Sequence, residues 1–420
     1  MPPKKVIIDT DPGVDDMLAL LLALSASSEE LEVLLVSLCF GNVDVESCLR
    51  NVVSLFHVLD LERHWRITNN LAPGFSMLEA KRPIVAVGAT NPLEGASLEY
   101  DYFHGTDGLQ GVHHAAPHFT PTEMWKHLFT PEGTPEVSPM ARLPPNFKPS
   151  AVPSHKEILR VLRENEPDTV TIVAVGPLSN LALAAAEDPE TFLRAHEVVV
   201  MGGALEQEGN VTPVAEFNHY ACAVSAARIY ALTSPSPKST MPACKELPPY
   251  PEVLSKRLKL TAFPLDITNY HLMSAEIFDK VTAQAKARGS PLAEWVRTFV
   301  SATFSHMESL YSEQDRKPKH VNISLHDPLC IWYVLTRDGE GWEVTEDVDV
   351  RIETEGQWTR GMSIIDKRRK IMEEDLAKPV KRHDRGVWLH KGHGNRVRIA
   401  RDSQYKDTFG EDMLKRIFSV

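Results

Sequence analysis

The sequence predicts an α/β fold: an open, mostly parallel, Rossmann-like sheet with flanking helices. Two observations carry that prediction. Short continuous apolar runs rich in β-branched residues recur along the chain, several of them closed by a Gly, Pro or Asn turn. Stretches with helical apolar spacing follow them. With 420 residues, 43 % of them hydrophobic, the chain is long enough for one large α/β domain with a substantial core.

The first unit is the run Val6–Ile8, which passes through Pro12-Gly13 into a helix-like run, Met17–Ala23. Val33–Phe40 (VLLVSLCF) is the second; it ends at Gly41-Asn42, and a helix is expected through Leu59. Pro83–Gly88 (PIVAVG) and Val170–Val175 (VTIVAV) are the next expected strands. The latter is closed by Gly176-Pro177 before an expected helix, Leu178–Ala186. Glu197–Met201 (EVVVM) ends in Gly202-Gly203. Late strands are expected at Asp347–Glu353 and Asn395–Ala400, and a last helix at Gly410–Phe418. Phe119–Ser150 and Thr233–Leu254 are proline-rich and weakly periodic, and strand–helix units resume after each. They read as surface excursions. With no internal repeat, the expected organisation is a single domain over residues 1–420 with insertions at about 119–150 and 233–254.

The net charge of −12, with no basic arm, argues against a nucleic-acid partner. The short basic patch Lys367–Lys370 reads as a solvated loop. Cys39, Cys48, Cys222, Cys244 and Cys330 are scattered and form no CxxC pair, as expected of reduced thiols in an intracellular protein. The chain enters its first strand almost at once, leaving no room for a signal peptide. Its most apolar run, Met17–Leu24, is too short to cross a bilayer. A cytoplasmic protein (or a nuclear one) without a membrane partner is the expectation.

The chemistry concentrates first in Ile7–Asp16, IIDTDPGVDD, which puts Asp9, Asp11, Asp15 and Asp16 around one turn. Helix capping and the helix dipole explain one or two such residues. They do not explain four carboxylates directly after a buried strand, which repel one another unless a positive charge sits among them. A divalent cation with oxygen ligands, Ca²⁺ or Mg²⁺, accounts for them. Ligands of open α/β sheets bind beyond the carboxyl ends of the strands, and Asp11, Asn42 and Gly176 all fall on that edge.

Three further segments contribute. In SLHDPL, Ser324–Leu329, His326 and Asp327 precede a proline and an apolar run; taken alone they read as a capping Asp with a partly buried His. Asn210, Glu216 and Asn218 lie within nine residues, with Phe217 among them. That is either a polar loop with one buried aromatic or a set of amide and carboxylate groups matched to sugar hydroxyls. Phe103–Gly111, FHGTDGLQG, is glycine-dense and tightly turning or mobile. Its His104 reads equally as a surface residue or a base-contacting one.

In chain order these pieces are IIDTDPGVDD, FGN at Phe40–Asn42, FHGTDGL at Phe103–Leu109, GPLSN at Gly176–Asn180, MGG with GNVTPVAEFN inside Met201–Asn218, and HDP at His326–Pro328. With them the chain resembles the inosine–uridine nucleoside hydrolase family, in a fungal-looking form that bears insertions. The D-x-D-P-G-x-D-D signature is the specific part; HDP or GPLSN alone would not suffice.

The resemblance implies the nucleoside hydrolase fold and Ca²⁺-dependent hydrolysis of the N-glycosidic bond of ribonucleosides, uridine and inosine above all. It implies Asp11, Asp16 and Asp327 as side-chain metal ligands and the Val175 carbonyl as a backbone ligand. It further implies a metal-bound water as nucleophile, Asp11 as its general base, and an oxocarbenium-like transition state. Asp15, Asn42, Asn210, Glu216 and Asn218 would hold the ribose hydroxyls, with Met201 also counted as substrate-binding. His326 would protonate the leaving base, assisted by His104, while Asp9 supports the loop by hydrogen bonds. Tyr270 and His271, in DITNYH, are either base contacts or the start of a structural helix. Cys222 stands where the family often has Asp and should fall outside the site. The two long insertions would cover the pocket mouth or form a subunit contact. The partners implied are a small-molecule ribonucleoside and further copies of the chain, as a homo-dimer or homo-tetramer.

Two other readings compete. A Mg²⁺ phosphohydrolase with an aspartyl nucleophile also begins on a strand ending in D-x-D. The Thr or Ser and the Lys that would hold its phosphate find no place in this chain. A non-catalytic nucleoside- or ribose-binding protein would keep the same motifs, but here every acid and base position is filled.

Overall fold

The structure is a computed structural model that describes residues 2–95, 103–122, 126–129, 146–313, 321–368, 370–376 and 378–419. Its strands are β1 (Lys4–Thr10), β2 (Leu31–Leu38), β3 (Ile84–Val87), β4 (Lys148–Ser150), β5 (Val170–Ala174), β6 (Glu197–Met201), β7 (Leu260–Phe263), β8 (Leu272–Ser274), β9 (Asn322–Ser324), β10 (Trp342–Val348), β11 (Arg351–Ile352), β12 (Ser363–Ile364) and β13 (Val397–Ser403). Nine of them form one sheet in the order β10-β13-β7-β6-β5-β1-β2-β3-β4. All neighbouring pairs are parallel except the edge pair β10–β13.

Alternation along the central strands divides the core. Val6 and Ile8 face one layer and Ile7 the other; Val173 and Val175 face the first layer, Ile172 and Ala174 the second. The first layer packs the helices Val14–Ser25, Val45–Thr68, Ala275–Ala287, Pro291–Glu313, His326–Thr336 and Phe409–Phe418. The second packs Ser154–Glu164, Ser179–Glu187 and Ala223–Ala231. A sheet buried on both faces needs apolar residues at successive positions, so its strands read as unbroken hydrophobic runs.

The chain winds one way from β1 through β2 and β3 to β4, then restarts at β5 and winds the other way through β6 and β7. The order reverses between β1 and β5, where a crevice is left at the carboxyl ends of the strands. The Val175 amide donates to the Asp9 carbonyl at 2.8 Å, the Cys39 amide to Thr10 at 3.1 Å, and the Gly88 amide to Leu38 at 2.9 Å. The ends of β1, β2, β3 and β5 are therefore level. Asn180 stitches them: its amide nitrogen donates to Asp9 Oδ2 at 2.9 Å and to the Leu38 carbonyl at 3.0 Å, and its oxygen accepts from the Ala89 amide at 2.8 Å.

Several expectations need correction. The strand expected at Asp347–Glu353 is split: β10 ends at Val348, and β11 pairs with β12 outside the main sheet. The break follows a register shift between Thr345 and Val348, with Asp347 in the left-handed region at φ 55°. The first insertion is not all excursion, since Lys148–Ser150 is edge strand β4; most of the rest lies outside the described residues. The second insertion contributes no residue to the lining of the cavity described below. It wraps the Ala223–Ala231 helix, where Tyr250 is buried with the Arg228 guanidinium 4.9 Å from its ring centre. The central strand β7, hidden in the short run Leu260–Phe263, was not expected. All five cysteines are free. Among the described residues no helix is long and apolar enough to cross a membrane.

Candidate active site

Beyond the crevice between β1 and β5 lies a cavity of about 290 Å³. It is lined by Asp15, Asn42, His104, Val175, Met201, Asn210, Glu216, Asn218, His326 and Asp327, together with apolar and hydroxyl-bearing residues. Of the catalytic, ribose-binding and metal residues that the resemblance assigns, Asp11 and Asp16 do not line it; both are fully buried.

Asp16 builds the turn. Its Oδ1 accepts from Thr10 Oγ1 at 2.5 Å and its Oδ2 from the Gly13 amide at 3.0 Å and Asn42 Nδ2 at 3.0 Å. These bonds fold the segment back on itself and start the Val14–Ser25 helix with Asp15 and Asp16 in its first turn. Asp11 is wedged between two backbones. A Cβ on Gly41 would sit 1.9 Å from Asp11 Oδ2, and one on Gly176 would sit 2.4 Å from Oδ1. Glycine at both positions is what leaves space for the carboxyl. Oδ2 accepts from the Asn42 amide at 2.7 Å, whereas Oδ1 is buried with no hydrogen-bond partner.

Asp15, Asp16 and Asp327 offer carboxylate oxygens that all lie within 4.8 Å of one another. Asp327 arrives from the first turn of the His326–Thr336 helix. This grouping puts Asp15, assigned from the sequence to the ribose, beside the cation ligands, and sets Asp11 behind them. Burial pushes Asp15 up to about 6 and Asp9 to about 7. Burial and the neighbouring carboxylates raise Asp11, Asp16 and Asp327 as well, Asp11 chiefly against Asp16 and Asp327 chiefly against Asp15. Among the described residues no lysine or arginine pairs with any of the five. A hard cation fits this set: the donors are all oxygen, Asp15, Asp16 and Asp327 converge, and a buried oxygen of Asp11 beside them lacks a hydrogen-bond partner. Val175 keeps room for a ligand, because Asn218 Nδ2 at 2.9 Å occupies one of its carbonyl's two lone pairs.

The polar wall is prearranged. Asn42 spends both amide hydrogens, on the Asp11 carbonyl at 3.2 Å and on Asp16. Asn218 spends its own on the carbonyls of Val175 and Met201, the latter at 3.2 Å. Each can then offer a ligand only its oxygen, as an acceptor. Glu216 caps the Phe217–Ala221 helix and is held by the amides of Gly203, Asn218 and His219 at 2.9, 2.8 and 3.1 Å. Asn210 accepts from the Phe217 amide at 2.9 Å, which turns its donors toward a ligand. A surface rich in acceptors with a donor beside it matches the hydroxyls of a sugar.

Two histidines stand opposite. His104 Nδ1 accepts from the Val14 amide at 3.1 Å. Its ring proton is therefore on Nε2, 3.9 Å from Asp15 Oδ1. His326 Nδ1 meets Thr268 Oγ1 at 2.7 Å, which leaves Nε2 for a ligand. Burial, and secondarily His104, lowers His326 to about 4, so its ring is neutral at pH 7. The rest of the wall is Val14, Phe103, Val211, Phe217, Thr303, Met307, Ile323 and Ser324.

Two residues read from the sequence as alternatives for base contact fall elsewhere, and Cys222 lies outside the site as expected. His271 is buried and spans the Ile267 carbonyl at 2.9 Å and Ser403 Oγ at 2.6 Å, a structural role. Tyr270 is exposed and meets Gln207. Neither lines the cavity, and neither does Cys222. Sequence reasoning missed Thr268, Thr303 and Met307. The last two sit one helical turn apart, a spacing shared with ordinary core residues, and no local signal sets them apart.

The family model described as inosine-uridine preferring nucleoside hydrolase matches residues 6–408. An uncharacterised protein of Schizosaccharomyces pombe is 31% identical over 364 residues, covering 86% of this chain and 89% of its own length. A pyrimidine-specific ribonucleoside hydrolase of Salmonella newport is 28% identical over 361 residues, covering 86% and 88%. Among solved structures, an inosine-guanosine nucleoside hydrolase superposes with a TM-score of 0.67 at 20% identity, covering 100% of this chain and 99% of its own. A plant nucleoside hydrolase gives 0.65 at 19% identity, with 100% of both chains covered. At those identities the structural likeness establishes the fold.

Proposed function

The chain belongs to the inosine-uridine preferring nucleoside hydrolase family, and from that premise we propose that it hydrolyses the N-glycosidic bond of ribonucleosides, uridine and inosine above all, with Ca²⁺ in the acidic group. One observation carries the reading: two of the three convergent buried carboxylates, Asp15 and Asp327, line the same sugar-sized cavity as His104 and His326, with Asp16 directly beside them. Asp15, Asp16 and Asp327 would supply oxygens to the cation, and the unpartnered Asp11 oxygen and the Val175 carbonyl would be available to it as well. When bound, the cation acidifies water and grips vicinal hydroxyls.

The residues do the rest. Asn42, Asn218 and Glu216 accept the ribose hydroxyls and Asn210 donates to them, which fixes the ring for attack. The carboxylates lie where positive charge develops on the sugar as the base departs. Asp11, its acidity suppressed by burial, takes the proton of the attacking water. His326, neutral and steadied by Thr268, meets the leaving base through Nε2, and His104 flanks it. The curated relative named pyrimidine-specific supports uridine; the family's own name supports inosine.

A panel of nucleosides assayed for released reducing sugar, with and without chelator, tests the proposal. Ribose release from uridine or inosine that stops on chelation is expected. Phosphate released from a nucleotide without free ribose would point instead to a phosphohydrolase. Tight ribose binding by calorimetry without turnover would point to a binding protein.

A further inference from the structure

Building on the hydrolase reading, we propose that Asn51 is a positioning residue that locks the His104 loop to the acidic turn and acts on the reaction through His104. Asn51 lies in the Val45–Thr68 helix, fully buried and outside the cavity lining. Its amide nitrogen donates to the Pro12 carbonyl at 2.9 Å and to the Asp107 carbonyl at 2.9 Å. Pro12 lies between Asp11 and Asp15; Asp107 lies three residues after His104. One side chain thus ties together the segments that carry the carboxylates and the histidine.

The remaining bond sets the direction. Asn51 Oδ1 can only accept, so His113 Nε2, 2.7 Å away, carries a proton and donates it. His113 Nδ1 then accepts from Thr120 Oγ1 at 2.7 Å. This orders the amide: its nitrogen must face the two carbonyls. The loop is shaped to fit. Asp107 Oδ1 accepts from the amides of Leu109 and Gly111 at 2.9 and 2.8 Å, which closes the turn on itself. Gly108 has φ +81°, and a Cβ there would lie 2.8 Å from Asn51 Nδ2 and 3.1 Å from the Pro12 carbonyl. His104 itself reaches the turn through the Val14 amide. Without Asn51 the loop would lose its tie to Pro12, and His104 its fixed distance from Asp15.

The test compares wild type, Asn51→Ala, His104→Ala and the double variant on two substrates. One is a ribonucleoside that the wild type cleaves. The other is p-nitrophenyl β-ribofuranoside, whose leaving group departs without protonation. Asn51→Ala should lower kcat on the nucleoside about tenfold and leave the aryl riboside within about twofold. The double variant should be no slower than the slower single one, as for residues acting through one contact. Equal losses on both substrates, or losses that multiply in the double variant, would overturn the proposal. If Asn51→Ala fails to fold, Gly108→Ala presses on the same contact from the loop side and should give the same split. An active wild type with Asn51→Ala unchanged overturns this inference alone; a wild type that cleaves neither substrate overturns the hydrolase reading and this inference with it.

Discussion

The two ends of the same sheet bury carboxylates in opposite ways. At the amino end of β6, Glu197 is fully buried, and Arg337 and Arg398 reach it at 2.5 Å each, with Lys259 at 3.8 Å and Thr261 Oγ1 at 2.5 Å. Its charge is answered by the chain itself. At the carboxyl ends of β1 and β5, Asp11, Asp15, Asp16 and Asp327 crowd together with no lysine or arginine paired to them among the described residues. A buried charge must be paired or neutralised. The paired cluster is complete as it stands and has a structural role. The unpaired one is left to hold protons or to take a counter-charge from outside, and that distinction makes it the candidate ligand site.

Substitution should separate the two. At the acidic end, Asp11→Ala removes the proposed base, and kcat should fall about 10³-fold, within the range of a lost general base. Asp327→Ala should fall sharply too, and should also weaken Ca²⁺ binding measured by titration calorimetry. Full activity in Asp11→Ala would end its assignment as base. At the other end, Glu197→Gln removes the counter-charge of the Arg337 guanidinium and one of the two carboxylates that face Arg398, which keeps Glu346. Unfolding free energy in a denaturant titration should drop by about 3 kcal/mol, with kcat of the folded fraction unchanged. A change in kcat without a change in stability would break the contrast.

The acidic end was legible because its constraints are local. The carboxylates Asp9, Asp11, Asp15 and Asp16 sit within one turn, so residue type and spacing carry the chemistry without help from the fold. The parallel sheet was legible for a similar reason: both its faces are buried, and Val33–Phe40 is apolar at every position but Ser37, Glu197–Met201 at every position after Glu197. What stayed hidden depends on contacts between distant segments. Asn51 looks like any polar residue of an amphipathic helix until Asp107 and Pro12 are brought to it. Thr268 acquires a role only beside His326, 58 positions later. The Glu197 cluster draws its arginines from more than 130 residues away. β7 shows only three apolar residues and a threonine after a proline-rich excursion, too few to separate from a loop.

The smallest expected effect sharpens the comparison through pH. Without a cation, burial holds Asp15 at about 6 and Asp9 at about 7, above the ordinary carboxyl value of about 3.9. A carboxyl raised in this way contributes stability that is full below its unfolded value and is lost as pH rises through the folded one. Cation binding favours the ionised form and removes that loss at Asp15. The rise in Tm on adding Ca²⁺ should therefore be small near pH 5 and grow by a few degrees through about pH 7. His219 works the other way. Burial lowers it to about 3, so its contribution falls as pH drops below its ordinary value of about 6.5. It acts alike with and without Ca²⁺, and so it cancels from the difference between the two melting curves. A Ca²⁺ increment that stays flat from about pH 5 to about pH 8 would mean that the acidic group is already neutralised within the chain, which would make it a second Glu197 rather than its opposite.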